Sequence, residues 1–357
     1  MKSNSSVSAD RSRVRFALIG TGHFAPWFAR YLNEVGELVA ICDPSLEARA
    51  RFFEATQLAL PEFDDHEKLL AGVDFDAVAV TGPNHTHKQV TLAAAKAGKH
   101  VFCEKMMAPS VADCWEMVRA CEAASVRLMV GHKRRLRPPW SRMIELRREL
   151  GEVVAISAIG YFDARNEGFG GWWTREAQSG GLLALSGVHE LDWMRAMCGD
   201  VLAVSAIAAP SIDPRYDFSD SIQVTLKFRS GAVGSLGVSL SYPLLRYRQV
   251  CGAEVVTRKG GMRLVSSFQH VDLSWRTFED DEIRHERCKA MGDDPVGVNE
   301  AFLIELGDFV RWITEGSEPC LTWREGLRCV ELVEAARHSA KQGGAWISLP
   351  LYPAWEK

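Results

Sequence analysis

The chain has 357 residues, which is enough for two domains of ordinary size. Its 47% hydrophobic and 25% charged residues are typical of a soluble globular protein. A net charge of −4 excludes a general attraction to nucleic acid or to an anionic membrane surface. Nine scattered cysteines without a C-x-x-C pair favour reduced thiols in a cytoplasm over disulfides or a metal site. Residues 1–12 are small and polar, lack a signal-peptide core and are expected to be a disordered tail.

The first element is an apolar run at residues 14–19, which predicts a buried parallel strand. It leads into Gly20-Thr21-Gly22-His23-Phe24-Ala25, which fits the G-x-G-x-x-G/A pattern. A helical pattern follows, and then a second apolar strand at 38–42 that ends in Asp43. Gly20 permits a tight turn, Gly22 lets the backbone approach a pyrophosphate, and Asp43 is placed to accept hydrogen bonds from a ribose. This context predicts a dinucleotide-binding turn rather than a purely structural one.

Apolar strands and helices of 10–14 residues then alternate as far as about residue 130. Ser45, Ser110 and Gly98 supply helix start and stop signals. This alternation predicts an α/β fold with a doubly wound parallel sheet, a Rossmann domain over 13–131.

The pattern changes from residue 152 onward. Strand-like runs at 153–158, 201–208, 221–228, 232–241, 246–256 and 262–265 are separated by short turns, and helical patterns follow at 295–314 and 323–341. We therefore expect a second, α+β domain over 132–357 with a large, mostly antiparallel open sheet. Because few helices are available to cover such a sheet, we expect it to form a homo-oligomer, a dimer or a tetramer.

Polar residues follow two of the predicted parallel strands at their carboxyl ends, where open α/β sheets bind ligands. Thr81, Pro83, Asn84 and His87 lie in the first of these loops, and Asn84 and His87 offer hydrogen bonds to a dinucleotide. The alternative is that Asn84 or Thr86 simply caps the next helix.

Glu104 and Lys105 follow the next strand. Charged side chains directly after a buried strand are expected either to form ion pairs or to serve in function. Lys105 would lie close to the nicotinamide, and partial burial would favour its neutral form for proton exchange with an alcohol. The alternative is a structural Glu104–Lys105 ion pair.

A third group lies between residues 170 and 199. Ser186 is a possible N-cap and Gly199 a possible C-terminal residue of a helix, which would place His189 in the first turn and Asp192 on the same side. The helix dipole would then lower the pKa of His189. Trp172 and Trp173, together with Phe162 and Phe169, could stack on a sugar ring or pack between domains.

These residues carry a family resemblance. The segments that carry it are Gly20-Thr21-Gly22-His23, Pro83-Asn84-His85-Thr86-His87, residues 98–105 and Gly187-Val188-His189-Glu190-Leu191-Asp192. They resemble the Gfo/Idh/MocA family, named for glucose–fructose oxidoreductase, inositol dehydrogenase and a rhizopine-catabolism protein. The resemblance implies a Rossmann domain, a C-terminal domain with an open sheet, and oxidation or reduction of sugars or cyclitols with NAD(P). It also implies that Lys105 is the lysine of the family's E-K-P motif and His189 its active-site histidine, and that Arg135 begins the second domain.

The chain departs from the family pattern at two positions. Met106 replaces the proline after the lysine, so a cis peptide at that bond is left open. Leu185 replaces an aspartate one turn before the histidine, so acid–base work would rest on Lys105 and His189, with His132 and Asp163 as possible substitutes.

Three functions are compatible with these motifs. The first is an NAD-dependent oxidoreductase acting on a secondary alcohol or ketone of a sugar, cyclitol or glycoside. Asp43 would favour NAD because its carboxylate repels a 2′-phosphate. The second is a glycosidase that retains NAD and works by transient oxidation and elimination. The third is a non-catalytic NAD-binding sensor.

Overall fold

The computed structural model describes residues 13–165, 170–243, 250–266, 270–289 and 298–352. The predicted tail at 1–12 and Phe169 lie outside these ranges, as do parts of the strand predicted at 246–256 and of the helix predicted at 295–314. In the described part of the chain, no helix is long and apolar enough to cross a membrane.

The first sheet has six parallel strands in the order β3-β2-β1-β4-β5-β6. The strands are β1 (Arg15–Ile19), β2 (Glu37–Cys42), β3 (Glu62–Phe63), β4 (Ala77–Val80), β5 (His100–Glu104) and β6 (Leu128–Gly131). The helices between them are α1 (Ala25–Val35), α2 (Leu46–Thr56), α3 (His66–Gly72), α4 (His87–Lys96) and α5 (Val111–Ala123). The predicted doubly wound parallel sheet is confirmed.

Short polar side chains begin several of these helices, as the sequence indicates. The Ser45 hydroxyl accepts the Ala48 N–H, and the Ser110 hydroxyl accepts the Asp113 N–H. Each cap satisfies a backbone donor that the helix cannot pair internally. These caps fix where the chain leaves the carboxyl edge of the sheet, and so position the loops there.

The second sheet has nine strands in the order β14-β13-β12-β11-β7-β10-β9-β8-β15. The strands are β7 (Val153–Tyr161), β8 (Val201–Ala208), β9 (Ser221–Phe228), β10 (Val233–Ser239), β11 (Val250–Thr257), β12 (Gly260–Ser266), β13 (His270–Thr277), β14 (Arg284–Lys289) and β15 (Ile347–Ser348). Strands β7 and β10 run parallel, and the other described neighbours run antiparallel. The predicted large, mostly antiparallel sheet is confirmed.

The described residues form five further α-helices. They are α6 (Trp140–Leu150), α7 (Glu176–Ser179), α8 (Val188–Cys198), α9 (Val298–Glu315) and α10 (Trp323–Lys341). Helix α9 returns to the first sheet, where Phe302 stacks on Tyr31 and Phe309 packs against Phe16. Helix α9, from the end of the chain, therefore covers part of one face of the first sheet.

Sequence patterns missed α6 and the strands β13 and β14. Helix α6 begins directly after Pro138-Pro139, and Trp140, Met143, Leu146 and Leu150 form its buried stripe. Strand β14 reads Arg-His-Glu-Arg-Cys-Lys, which is too charged for a buried strand but suits the exposed edge where it lies.

Candidate functional site

The turn between β1 and α1 requires its first glycine. Gly20 has φ +101°, and a Cβ there would collide with the backbone of Gly82. A Cβ on Gly22 would meet nothing within 4 Å, so the space above that residue is open. The N-cap residue of α1, Phe24, makes no side-chain cap, and the first turn carries no acidic residue. The turn therefore leaves an uncapped, partially positive helix end facing open space, which fits a pyrophosphate.

Asp43, at the end of β2, is fixed against this turn. Its Oδ2 atom accepts the Thr21 N–H at 2.8 Å, and its Oδ1 atom accepts the Ser45 N–H at 2.9 Å. Each carboxylate oxygen retains a lone pair for a further donor. A cavity of about 490 Å³ adjoins the turn and is lined by Thr21, Gly22, His23, Pro26, Trp27, Arg51, Phe52, Glu54 and Ala55. The turn and Asp43 fit the adenosine ribose and pyrophosphate of a dinucleotide, and this cavity opens beside them.

The loop at residues 81–87 is held by protein atoms. Thr81 Oγ1 donates to the Gly20 carbonyl oxygen at 2.7 Å, and Asn84 Nδ2 donates to the Ser179 carbonyl oxygen at 2.7 Å. The two ring nitrogens of His87, which is fully buried, lie 2.8 Å from Met106 O and 2.9 Å from Gly82 O. Thr86 occupies the N-cap position of α4, but its hydroxyl donates to the Pro83 carbonyl oxygen, so neither Asn84 nor Thr86 caps the helix through its side chain. Pro83 begins a short 3₁₀ turn at 84–86, and the loop links the glycine turn to Ser179.

Lys105 lies immediately after β5, and its ammonium does not pair with Glu104. Lys105 Nζ donates instead to the Leu185 carbonyl oxygen at 2.8 Å. The alternative prediction of a structural Glu104–Lys105 ion pair is therefore wrong. The Lys105–Met106 peptide, left open by the sequence, is cis. Leu185 lies in a π-helical turn, 183–187, a local widening of the helix that often marks functional sites. Where the family pattern has a carboxylate, this chain presents a backbone carbonyl to the lysine.

The surroundings of Lys105 favour its neutral form. Burial, and then the positive charge of Lys133, lower the pKa of the Lys105 ammonium to about 8. Glu104 and Glu190 oppose this effect without overcoming it. An amine with such a pKa can accept and return protons near neutral pH.

His189 lies beside this lysine, in the first turn of α8 as predicted, but that turn is not a free helix end. The π-helical turn at 183–187 runs directly into α8, so the prediction that Ser186 caps the helix is wrong. The dipole therefore cannot account for the state of His189. Burial and the charge of Lys105 hold the pKa of the imidazole well below its usual range. His189 is neutral at pH 7, and its buried Nδ1 atom has no hydrogen-bond partner among the described residues.

Asp192, one helical turn beyond His189, is used by Arg135. The guanidinium binds both carboxylate oxygens, with Arg135 Nε at 2.9 Å from Oδ2. Although burial opposes ionisation, Arg135 holds the pKa of Asp192 below its usual range. Ligand atoms of His132, Asp192 and Cys329 lie within 4.8 Å of one another, but Arg135 already occupies the carboxylate. Arg135 and Asp192 thus join the end of β6 to α8 as a structural pair.

Sequence reasoning missed a buried ion pair next to this site. Arg134 Nη2 lies 3.1 Å from Glu190 Oε1, and the two side chains are 4% and 2% exposed. Cys251 Sγ lies 3.2 Å from Arg134 Nη1 and 3.7 Å from Glu190 Oε1. A Cβ on Gly160 would come within 3.1 Å of the Glu190 carboxyl carbon, so that glycine makes room for the acid. In the sequence, the position of Glu190 directly after the predicted active-site His189 could have indicated this acid.

A second missed group lies on the other side of Glu104. Glu305 of α9 is fully buried, and neither carboxylate oxygen has a hydrogen-bond partner among the described residues. Lys133 Nζ lies 4.0 Å from Glu104 Oε1 and 4.2 Å from the centre of the Phe302 ring; the Phe24 ring centre is 4.9 Å away. Burial and the Glu104 carboxylate raise the pKa of Glu305 well above its usual range. A single acid in the apolar stripe of α9 could have indicated this site.

The remaining predicted substrate residues lie after β6. Asp163 follows β7, is 3% exposed and is bound by Arg165 at 2.8 Å. Trp172 and Trp173 form an edge-to-face pair with ring centres 5.8 Å apart, and both are partly buried against the main core. His132 is 1% exposed, and neither ring nitrogen has a partner among the described residues. The structure thus groups Lys105 electrostatically with His189, Glu190, Lys133 and Arg134, whereas it gives Asp163 and Asp192 arginine partners.

Comparisons with known proteins agree with this architecture. Residues 14–132 match the family described as "Oxidoreductase family, NAD-binding Rossmann fold", and residues 142–263 match the "GFO/IDH/MocA C-terminal domain". The aldose–aldose oxidoreductase of Caulobacter crescentus, solved with glycerol, is similar with a TM-score of 0.80 and 26% identity, over 94% of this chain and 100% of that one.

Curated relatives match over different lengths. A 2,7-anhydro-N-acetylneuraminate hydratase of Escherichia coli is 27% identical over 64% of this chain and 63% of its own length. A D-apiose dehydrogenase of Paraburkholderia graminis is 26% identical over 95% of this chain and 91% of its own. This chain spans 63% of the length of that hydratase and half of the length of two further relatives that it matches. With both family domains present in order, the chain belongs to the Gfo/Idh/MocA oxidoreductase family.

Proposed function

We propose that the protein is an NAD-dependent oxidoreductase that interconverts a secondary alcohol and a ketone on a sugar, cyclitol or glycoside. The observation that carries the proposal is the state of Lys105: a partly buried amine with a lowered pKa, at the carboxyl edge of a dinucleotide-binding sheet. A structural lysine at this position would be paired with a carboxylate, whereas this one donates to a carbonyl oxygen.

The proton chemistry follows from the charges around Lys105. A bound nicotinamide supplies or accepts the hydride. In the oxidation direction the neutral Lys105 amine accepts the proton of the substrate hydroxyl, and in the reduction direction the ammonium returns it. The Leu185 carbonyl oxygen orients the amine in both states because it accepts a hydrogen bond from either.

His189 acts beside Lys105 as a neutral hydrogen-bonding group. Its low pKa means that it does not carry a positive charge during turnover near pH 7. A neutral imidazole can donate from one nitrogen and accept at the other, so it can hold the reacting hydroxyl against the lysine. We assign Lys105 the proton transfer and His189 the positioning of the substrate oxygen.

The preference for NAD over NADP rests on Asp43. The carboxylate is fixed by two backbone N–H groups at the tip of β2, where an adenosine ribose would hydrogen bond. A 2′-phosphate at this place would bring a second negative charge against an immobile one.

The substrate class is supported by the relatives' names. One of them is a D-apiose dehydrogenase, and a solved neighbour is an aldose–aldose oxidoreductase. Trp172 and Trp173 are partly exposed aromatic rings, of the kind that stack on the apolar face of a sugar. With Asp163 they are our proposed sugar contacts.

The second sheet supports a homo-oligomer. Val233, Ala155 and Val256 lie opposite one another on three neighbouring strands, β10, β7 and β11. Val233 and Val256 are 52% and 49% exposed, so this row faces away from the core. We propose that a second copy covers this face, and sedimentation of the full chain as a monomer would contradict it.

The function is tested by a substrate screen. The chain is incubated with NAD and a panel of sugars, cyclitols and glycosides at roughly pH 7 to 10, and NADH fluorescence is recorded. We expect NADH to form with at least one of them. Release of an aglycone without net NADH would instead indicate the NAD-retaining glycosidase, whereas absence of NAD and NADP binding would overturn the proposal.

A further inference from the structure

A cavity of about 340 Å³ lies away from Lys105, near the carboxyl end of α8. It is bounded by α8, α10, the start of β8, the turn after β9 and the segment that follows β15. Its lining residues are Arg195, Asp200, Val201, Arg229, Arg328, Glu331, Leu332, Leu349 and Pro350. This volume suits a small metabolite.

Positive charge exceeds negative charge in this lining. Arg195, Arg229 and Arg328 supply three guanidinium groups, against the carboxylates of Asp200 and Glu331. Arg195 Nη2 lies 2.7 Å from Asp200 Oδ1, and Arg328 Nη1 lies 3.0 Å from Glu331 Oε2. The Arg229 guanidinium donates to the Leu349 carbonyl oxygen at 2.8 Å and, among the described residues, forms no ion pair. One guanidinium charge is therefore not neutralised by the lining.

All three guanidinium charges act on the Asp200 carboxylate, and Arg195 contacts it directly. Although burial opposes ionisation, Arg195, Arg328 and Arg229 together hold the pKa of Asp200 below its usual range. The Asp200 side chain is 51% exposed and lies at the chain's surface, whereas Arg195 is only 10% exposed. Asp200 is thus an internal anion at the mouth of an arginine-lined cavity.

We propose that this cavity binds a small molecule through an oxyanion, a phosphoryl or a carboxylate group, that competes with Asp200 for the three arginines. Guanidinium groups bind both kinds of oxyanion through paired N–H donors. The bound anion neutralises the uncompensated charge of Arg229. This site shares no residue with the Lys105 site, and binding at it requires neither NAD nor a sugar.

Calorimetric titration of the full chain with inorganic phosphate tests the site, and succinate in a parallel titration distinguishes phosphoryl from carboxylate preference. Arg229→Gln removes the unneutralised guanidinium and should weaken binding at least ~10-fold. Asp200→Asn removes the competing carboxylate and should strengthen binding. Arg258→Gln is the matched control, since that exposed arginine pairs with Glu152 at a distant turn and should bind as the wild type does.

Phosphate bound at the glycine turn would contribute the same heat in the wild type and in the three variants, because no substitution lies within residues 20–25. The difference between Arg229→Gln and Asp200→Asn therefore isolates the cavity. Opposite changes in the two variants support the site, whichever of the two anions binds more tightly. Equal affinities in all four proteins, or weaker binding in Asp200→Asn, would overturn it.

Discussion

The glycine turn after β1 and the charged group around Lys105 lie at the same edge of the first sheet, but they are assembled differently. The turn is built mostly within one short βαβ segment, where the Thr21 N–H donates to Asp43, 22 positions away. The Thr81 hydroxyl, which donates to the Gly20 carbonyl oxygen, supports it from the end of β4. Lys105 is held by Leu185, 80 positions away, and its charge state is set by burial and then by Lys133, Glu104 and Glu190. The first region is a local motif, whereas the second depends on the whole fold.

This contrast separates binding from chemistry. Changes at the turn should alter the affinity for the cofactor, and changes around Lys105 should alter rates and their pH dependence. Each variant below tests whether the two regions are separable in this way.

The largest effect is expected from Lys105→Ala. Loss of the proton carrier should lower kcat at least ~10²-fold, because no other described amine donates to the Leu185 carbonyl oxygen. NAD affinity, measured by calorimetry, should be retained, since the glycine turn is unchanged. Lys96→Ala, an exposed lysine on α4, is the control. Near-normal turnover of the Lys105 variant would remove this residue from its role.

Asp43→Ala should act on the other region. Removing a charged acceptor of the ribose should raise the KM for NAD about 10-fold and leave kcat little changed. The difference between the KM values for NAD and for NADP should become smaller. Asp65→Ala is a matched control, because Asp65 also accepts two backbone N–H groups but caps α3 away from the turn. An unchanged preference between NAD and NADP would show that Asp43 does not contact the ribose.

The sequence predicted the first region well and the second poorly, for physical reasons. Gly20, Gly22 and Asp43 act through backbone conformation and spacing within one segment, so they can be identified from the sequence alone. The contact of Lys105 with Leu185 uses a backbone carbonyl oxygen, which every residue type has, so the sequence cannot indicate it. The predicted cap at Ser186 failed because the π-helical turn at 183–187 extends the helix backward. The buried Glu305 acquires its role only when α9 folds back onto the first sheet.

Substitutions of neighbouring charges should shift the pH profile of oxidation in opposite directions. Lys133→Gln removes a cation that lowers the pKa of Lys105, so the midpoint should rise by roughly half to one pH unit. Glu190→Gln removes a carboxylate that raises the same pKa, so the midpoint should fall. The measurement is initial rate against pH at saturating NAD. Shifts of the same sign in both variants would show that the rate does not follow Lys105.

The smallest effect concerns stability. Because the pKa of Glu305 is raised in the folded state, unfolding releases its proton, and the wild type loses stability as pH rises above the unfolded pKa of about 4.3. Glu305→Gln removes this loss, so its stability relative to the wild type should increase with pH, by at most ~1.4 kcal/mol per unit. Thermal unfolding between roughly pH 5 and 8 measures it. Glu300→Gln, on the exposed side of α9, should show no such trend, and a pH-independent difference for Glu305→Gln would contradict the assignment.

The most direct test of the central claim is the titration of Lys105 itself, followed by nuclear magnetic resonance on protein carrying lysine labelled with carbon-13 at Cε. We expect one lysine signal to titrate with a midpoint near pH 8, and this signal to be absent from Lys105→Ala. If every lysine signal titrates above about pH 10, the ammonium at the edge of the first sheet is an ordinary one and cannot serve as the proton carrier.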